Sequence, residues 1–83
     1  MPLYIDTHNR IDGITKEAAA KAHEADLKAQ KKYGVNYLRY WVDVDQAKAF
    51  CLVEAPSKEA AIAVHREAHG LLADEISEVI EGL

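Results

Sequence analysis

Residues 16–33 form an amphipathic helical pattern that ends at Gly34, and this pattern constrains the fold more than any other stretch of the chain. At a spacing of roughly 100° per residue, the charged side chains gather on one arc of the helix and the alanines on the opposite arc. The alanine arc also carries three polar side chains, those of His23, Asp26 and Gln30. Because a buried polar group without a partner costs roughly 1–3 kcal/mol, we expect other elements to satisfy these three groups.

Hydrophobic periodicity defines the other elements. Four stretches have the alternation, or the β-branched and aromatic content, of strands, and they are residues 3–8, 35–43, 48–55 and 75–81. A second helix is predicted over residues 58–69 between Ser57 and Gly70. The order is therefore βαββαβ, and right-handed crossovers place both helices on one face of a four-stranded antiparallel sheet, a ferredoxin-like α+β fold. A chain of 83 residues predicts one domain over residues 1–83.

The hairpin formed by residues 35–43 and 48–55 is apolar on both faces. Strict alternation assigns one face to Tyr37, Arg39, Trp41, Phe50 and Leu52, and the other to Leu38, Tyr40, Val42, Ala49, Cys51 and Val53. The two helices cover only one face of the sheet, and an apolar sheet needs cover on both. We therefore expect a homodimer packed sheet to sheet, a dimeric α+β barrel, with Tyr37, Trp41 and Phe50 on the shared face.

Composition narrows the partners and the compartment. The net charge of −4 argues against nucleic acid. No apolar run is long enough for a membrane span and no signal peptide is visible, so no membrane association is expected. The single cysteine, Cys51, excludes an internal disulfide and fits a reducing cytoplasm. Cys51 is either a small buried hydrophobe or, as a thiolate, a metal ligand.

Histidines are the candidate metal ligands. His65 and His69 lie four residues apart on one helical face, so both imidazoles can reach one ion. The neighbouring helix presents His23 with Asp26, and these groups are expected to converge with His65. His8, at the end of the first strand, pairs with His69 in a second, more exposed arrangement near Asp6. Imidazole and carboxylate donors suit nickel, zinc, copper or ferrous iron. The competing interpretation is a satisfied polar network in which Asp26 accepts from His23 or His65 and Gln30 bonds Tyr33 or the backbone.

Three segments carry a resemblance to a known family: YGVNYLRYWVD, FCLVEAPSKEAA and VHREAHGLLADEI, together with AHEADLKAQKKYG on the first helix. The chain resembles, over nearly its whole length, a small ferredoxin-like family long catalogued as a domain of unknown function, one branch of which is described as nickel-binding protein. The resemblance implies the ferredoxin-like fold and metal binding, with nickel as the ion. It also implies that the unit can serve as a sensory or binding module, because related members are fused to cyclase-like domains.

Three functions follow as hypotheses. The first is a cytoplasmic nickel-binding homodimer acting in sequestration, storage or sensing, with the metal ligands drawn from His65, His69, His23, His8 and Asp26. The second is an oxygenase or isomerase with a small-molecule cleft between protomers, lined by Tyr37, Arg39, Trp41 and Glu54, with Asp6 or His8 as base. The third is a purely structural or regulatory dimer module. No nucleophile–base pair and no glycine-rich phosphate loop is visible in the sequence, which favours a non-enzymatic function.

Overall fold

A computed structural model of the chain describes residues 1–82, so that Leu83, the last residue of the predicted domain, lies outside the described residues. The elements in chain order are β1 (Leu3–His8), α1 (Lys16–Ala29), a 3₁₀ turn (Gln30–Tyr33), β2 (Asn36–Asp43), β3 (Lys48–Glu54), α2 (Lys58–Ala68) and β4 (Glu75–Val79). The strands form one sheet in the order β2-β3-β1-β4, and every neighbouring pair is antiparallel. The predicted ferredoxin-like α+β fold is confirmed.

Side-chain caps define where the helices begin. The Thr15 hydroxyl accepts a hydrogen bond of 3.0 Å from the backbone N–H of Ala18, and the Ser57 hydroxyl does the same for Ala60 at 3.2 Å. α1 ends four residues earlier than predicted, because its last turn tightens into the 3₁₀ turn. Gly34 follows in the left-handed conformation with φ of 68°, as a helix-terminating glycine does.

Gln30 has a backbone partner. Its side-chain oxygen accepts a hydrogen bond of 2.7 Å from the backbone N–H of Tyr37. This bond ties the 3₁₀ turn that follows α1 to the start of β2. One of the three polar groups on the alanine arc of α1 is thereby satisfied within the scaffold, in the way that the polar-network interpretation expected.

The core between the helices and the sheet is built from small and medium side chains. Val53, Ala55, Ala61 and Val64 have no exposed surface at all, and Val35 is 2% exposed. Ala61 and Val64 belong to α2 and pack into this core. His65, the next residue of α2, reaches Asp6 on β1, which determines the geometry of the site described below.

A β-bulge in β2 changes which residues face the helices. Tyr37 lies opposite Val53 and Arg39 lies opposite Leu52, so β2 contains one extra residue at Leu38. The bulge places Tyr37 in the core, where it is 3% exposed, and leaves Leu38 45% exposed. The alternation prediction was therefore wrong for these two residues, because the extra residue changes the facing of the strand before it relative to the strand after it.

The opposite face of the sheet has no helix against it. Trp41 is exposed there, and a groove on the same face is lined by Leu3, Ile5, Leu38, Arg39, Leu52, Val79 and Glu81. β1 separates the two faces by strict alternation, with Tyr4, Asp6 and His8 buried on the helix side. None of the helices within residues 1–82 is long and apolar enough to cross a membrane.

Candidate metal centre

His65 is the central side chain of the candidate site. It lies on α2 and is 3% exposed. Its Nδ1 is 2.8 Å from Asp26 Oδ1 on α1, and its Nε2 is 2.9 Å from Asp6 Oδ2 on β1. Both ring nitrogens therefore face carboxylate oxygens, and an imidazolium that donates from both nitrogens satisfies them. His65 in this state joins both helices and the sheet.

The electrostatics follow from these two contacts. Burial alone would lower the pKa of His65, but the hydrogen bonds to Asp26 and Asp6 outweigh burial and raise that pKa to about 11. Burial would raise the pKa of Asp6, but the hydrogen bond and charge of His65, with a contribution from His8, lower it to about 2. The same balance lowers the pKa of Asp26. The metal-free site thus holds two carboxylates and one imidazolium.

Three further donors lie beside His65 on the sheet, and we call Asp6, His8 and Cys51 the strand-side group. Asp6 and His8 share the buried face of β1, and the register places Cys51 of β3 directly opposite Asp6. The His8 Nε2 atom is 3.3 Å from Asp6 Oδ1, and the rings of His8 and His65 meet edge to face with centroids 5.1 Å apart. One ligand atom from each of these residues and one from His65 all lie within 4.8 Å of one another.

Two atoms of the strand-side group stand out chemically. Asp6 Oδ1 is buried without a hydrogen-bond partner, because the contact to His8 lacks hydrogen-bonding geometry. Burial raises the pKa of the Cys51 thiol to about 11, although His65 beside it acts in the opposite direction. A buried carboxylate oxygen with free lone pairs next to imidazoles and a thiol is a donor set for a transition-metal ion.

A second group lies on the other side of His65, and we call Asp26 and His69 the helix-side group. One ligand atom each from Asp26, His65 and His69 also fall within 4.8 Å of one another. His69 Nε2 is 3.0 Å from Asp26 Oδ1, but the alignment is too poor for a hydrogen bond. The His69 Nδ1 accepts a hydrogen bond of 3.1 Å from the backbone N–H of Leu71. In neutral His69 the proton is therefore on Nε2, the atom that faces the group, and that nitrogen has no free lone pair.

His23 lies outside both groups. Its ring packs against Tyr40 with centroids 4.7 Å apart, and its buried Nδ1 has no hydrogen-bond partner. The predicted convergence of His23 with His65 and Asp26 is not formed, because His23 sits three residues before Asp26, roughly 4.5 Å back along the helix axis. Of the other four predicted ligands, His8 lies with His65 in the strand-side cluster, whereas Asp26 and His69 lie with His65 in the helix-side cluster. His8 and His69 therefore flank His65 on different sides and do not form the predicted pair.

Sequence reasoning left Asp6 and Cys51 out of the predicted ligand set. For Asp6, a signal was present in the alternation of β1, which places Asp6 on the same face as His8. The cross-strand pairing of Asp6 with Cys51 depends on the register of β1 and β3, which the sequence did not specify. Register is therefore the information that was missing.

The residues proposed for an enzymatic cleft are divided between the two faces of the sheet. Arg39 and Trp41 lie on the open face, whereas Tyr37, Asp6 and His8 are buried on the helix side. The Tyr37 hydroxyl donates a hydrogen bond of 3.0 Å to the carbonyl of Ala61 and is 3.4 Å from Asp6 Oδ2. The cleft predicted from the sequence is therefore not formed by these residues.

A cavity of about 170 Å³ adjoins the site on its α1 side. Its wall includes His8, Cys51 and His65 from the cluster, and also Asp26, His69 and His23. The remaining wall is mostly apolar and comes from α1, from the loop between β1 and α1, and from Leu71. The donor atoms are thus reachable from a small, half-open cavity on the helix side rather than from the open face of the sheet.

The fold and the site define a class: a small ferredoxin-like α+β protein with buried imidazole, carboxylate and thiol groups gathered between its helices and its sheet. Residues 4–79 match the family described as nickel responsive protein SCO4226-like. The chain belongs to this family, which agrees with the resemblance predicted from its sequence. The chain is also similar to the crystal structure of SCO4226 from Streptomyces coelicolor A3(2), with a TM-score of 0.91 and 38% sequence identity, over 98% of this chain and 99% of that chain. A comparison with curated proteins finds no significant match.

Proposed function

We propose that this protein binds a divalent transition-metal ion, with nickel as the ion that the family description names, through Asp6, His8, Cys51 and His65. One observation carries the proposal. Four donor atoms of these residues lie within 4.8 Å of one another, all four residues are buried, and one of the atoms available to an ion, Asp6 Oδ1, has no hydrogen-bond partner. Buried polar atoms almost always have a hydrogen-bond partner, so an unpaired atom among potential ligands is expected to have a bound ion as its partner.

The size of the cluster fits an ion. Bonds from a divalent transition metal to nitrogen, oxygen and sulfur are roughly 2.0–2.3 Å long, so donors on opposite sides of an ion are at most about 4.6 Å apart. No two of the four donor atoms are more than 4.8 Å apart, so a shift of a few tenths of an ångström would bring even the most distant pair to opposite sides of one ion. Side chains rather than the backbone can supply such shifts, and binding therefore leaves the sheet register unchanged.

The charge of the site is conserved on binding. In the metal-free protein, Asp6 and Asp26 are ionised, His65 is protonated and Cys51 is a thiol, which gives a local charge of −1. To act as ligands, His65 and Cys51 must each lose a proton, because metal ligands are deprotonated. Loss of two protons and gain of a divalent ion again gives −1. The buried site therefore exchanges protons for metal without acquiring net charge, which avoids the cost of burying an uncompensated charge.

The role we propose is sequestration, storage or sensing of the ion. To hold an ion through Nε2, His65 would give up its bond to Asp6 Oδ2 and keep the bond from Nδ1 to Asp26 Oδ1, as carboxylates hold metal-binding histidines in other sites. Because Asp6 and His65 are both proposed ligands, the ion would join β1 to α2 in place of this bond. A free Cys51 ligand requires a reducing compartment, and we propose the cytoplasm.

Calorimetric titration of the untagged protein with nickel tests the proposal. We expect one ion per chain with micromolar or tighter affinity. The His8→Ala variant removes a cluster ligand and should weaken binding by about a hundredfold, whereas His23→Ala, the matched control outside the cluster, should leave the affinity unchanged. Equal affinity in wild type and His8→Ala would contradict the assignment of the site. A polyhistidine tag must be absent, because it binds nickel by itself.

We further propose that two copies of the chain pair through the open face of the sheet. The support is the exposed apolar surface there, including Trp41 at 49% and Leu38 at 45% exposure, which is unusual to leave facing water. Light scattering coupled to gel filtration should give the mass of two chains for the wild type. Trp41→Glu should give one chain with unchanged nickel binding, because the metal cluster lies on the other face. A wild type that runs as one chain at high concentration would contradict the dimer.

A further inference from the structure

The cavity of about 170 Å³ beside the cluster is large enough for a ligand other than a metal ion. Small side chains on α1 create it, since Ala18, Ala19 and Ala22 form one wall where longer aliphatic residues would fill the space. An apolar cavity of roughly 150 Å³ in another protein accommodates benzene. A single aromatic ring is therefore the size class that fits.

The polar part of the cavity wall includes Asp26 and His69 as well as the cluster donors and His23, and the last two carry the argument here. Three of the four cluster residues, His8, Cys51 and His65, reach it, so an ion held there meets the cavity on one side. His23 also lines the cavity, and its Nδ1 is buried without a hydrogen-bond partner. When the His23 proton is on Nε2, this Nδ1 is an acceptor that lacks a donor. An ion held by the four cluster residues would therefore be open to a ligand from the cavity, and in this tautomer His23 would accept an N–H from the same ligand.

The charge of the wall restricts the chemistry further. The local charge of −1, both before and after metal binding, disfavours an anionic ligand in a partly apolar enclosure. A neutral ring that offers a lone pair at one nitrogen and an N–H at another meets both requirements. Azoles have this combination on a ring of the right size.

We propose that the cavity binds a small neutral azole, which contributes its nitrogen lone pair to the ion at Asp6, His8, Cys51 and His65 and donates its N–H to His23 Nδ1. The proposal rests on the metal site proposed above. The ring packs against Ala18 and Ala22, and His23, which is not a metal ligand, becomes the residue that recognises the azole. This gives the unpaired nitrogen of His23 a binding role and makes the protein a receptor for a metal–azole pair rather than for the metal alone.

The experiment titrates the nickel-loaded, untagged protein with imidazole at about pH 8, where imidazole is mostly neutral. Ligand-field absorption reports a new nitrogen on the ion, and metal analysis after gel filtration reports whether the ion is retained. We expect saturable binding with one imidazole per chain. Two variants test the cavity: Ala22→Leu fills it, and Ala20→Leu makes the same change on the exposed side of α1. Imidazole affinity should fall at least about tenfold in the first variant and stay unchanged in the second.

A second comparison tests whether His23 recognises the azole, with a substitution that leaves the volume of the cavity near the ion unchanged. Imidazole should bind about tenfold more weakly to His23→Leu than to the wild type, whereas 1-methylimidazole, which has no N–H, should show no such difference. One outcome is that the wild type, Ala22→Leu and His23→Leu all bind nickel and have equal affinities for imidazole. That outcome would overturn the azole site and leave the metal site intact. Removal of nickel from the protein by imidazole would also overturn it. Absence of nickel binding in the wild type would instead overturn the metal site, and the azole site with it.

Discussion

The strand-side and helix-side groups flank the same imidazole, yet they differ in what their atoms already do. On the helix side, Asp26 Oδ1 accepts from His65, and the His69 Nδ1 accepts from the backbone of Leu71. On the strand side, Asp6 Oδ1 has no partner and Cys51 has a thiol within reach of the same centre. The strand-side and helix-side groups contain similar residue types, but they differ in how many lone pairs are free to bind an ion.

This difference teaches how one buried histidine can serve both structure and binding. Nδ1 of His65 is committed to Asp26, which ties α2 to α1, and Nε2 faces the group with spare ligand capacity. The helix-side group orients the ring, and the strand-side group has the donors for an ion. The predictions below are designed to separate these two roles.

The largest expected effect distinguishes the two carboxylates directly. Asp6→Asn removes the charge of a proposed ligand and should weaken nickel binding by about a thousandfold, whereas Asp26→Asn removes a group that only orients His65 and should weaken it by about tenfold. Calorimetric titration of both variants at the same pH measures the ratio. Equal losses in the two variants would remove the distinction between the groups.

The free energy of unfolding should rank the same two variants in the opposite order. Asp26→Asn is expected to lower the free energy of unfolding of the metal-free protein by roughly 3 kcal/mol near pH 6, because it breaks a buried charge-assisted pair that joins α1 to α2. Asp6→Asn should cost less, because the strands around it remain paired on both sides. Chemical denaturation followed by circular dichroism measures both values. A larger loss in Asp6→Asn would contradict the assigned roles.

The pH dependence of stability follows from the same pair. The pKa of His65 rises from 6.5 to about 11 on folding, so its contribution is complete below pH 6.5 and is lost as pH rises towards 11. The pKa of Asp6 falls from 3.8 to about 2, so its contribution is present above pH 3.8 and is lost as pH falls towards 2. The metal-free protein should be most stable between pH 3.8 and pH 6.5. A stability maximum above pH 8 would show that His65 is neutral in the folded protein.

Proton release gives a smaller but specific effect. Nickel binding near pH 7 should release about two protons per ion, one from His65 and one from Cys51, because both have a pKa of about 11 in the metal-free protein. Cys51→Ala should reduce this to about one. Titration in buffers of different ionisation enthalpy counts the protons. Release of the same number by wild type and Cys51→Ala would exclude Cys51 as a ligand.

The smallest expected effect is that of His69→Ala. We expect a change in nickel affinity of about threefold or less, because the nitrogen of His69 that faces the site carries its proton and Nδ1 is bonded to Leu71. The matched comparison is His8→Ala, which removes the other flanking imidazole. A loss with His69→Ala as large as that with His8→Ala would place the ion on the helix side.

The sequence contained enough to predict the elements and the topology, because periodicity and capping act locally. The helix starts after Thr15 and Ser57 and the glycine that terminates the 3₁₀ turn were all visible in the order of residues. The sequence did not predict the single inserted residue in β2. The bulge at Leu38 turns Tyr37 into the core, and no local signal in an apolar strand distinguishes such an insertion from strict alternation.

For the site, the sequence identified residue types more reliably than their partners. His65 and Asp26 were predicted to meet, and they do. His23 was expected with them but lies a turn away against Tyr40, because the sequence does not say which turn of α1 lies opposite His65 on α2. Asp6 was placed near His8 but left out of the predicted ligand set, because alternation in β1 does not say which face the helices cover.

The most direct measurement is diffraction from crystals of the untagged, nickel-loaded protein at the nickel absorption edge, which locates the ion without reference to other density. The account predicts one anomalous peak per chain, within about 2.0–2.3 Å of donor atoms of Asp6, His8, Cys51 and His65. A peak bound to Asp26 and His69, or one on the open face of the sheet, would contradict it.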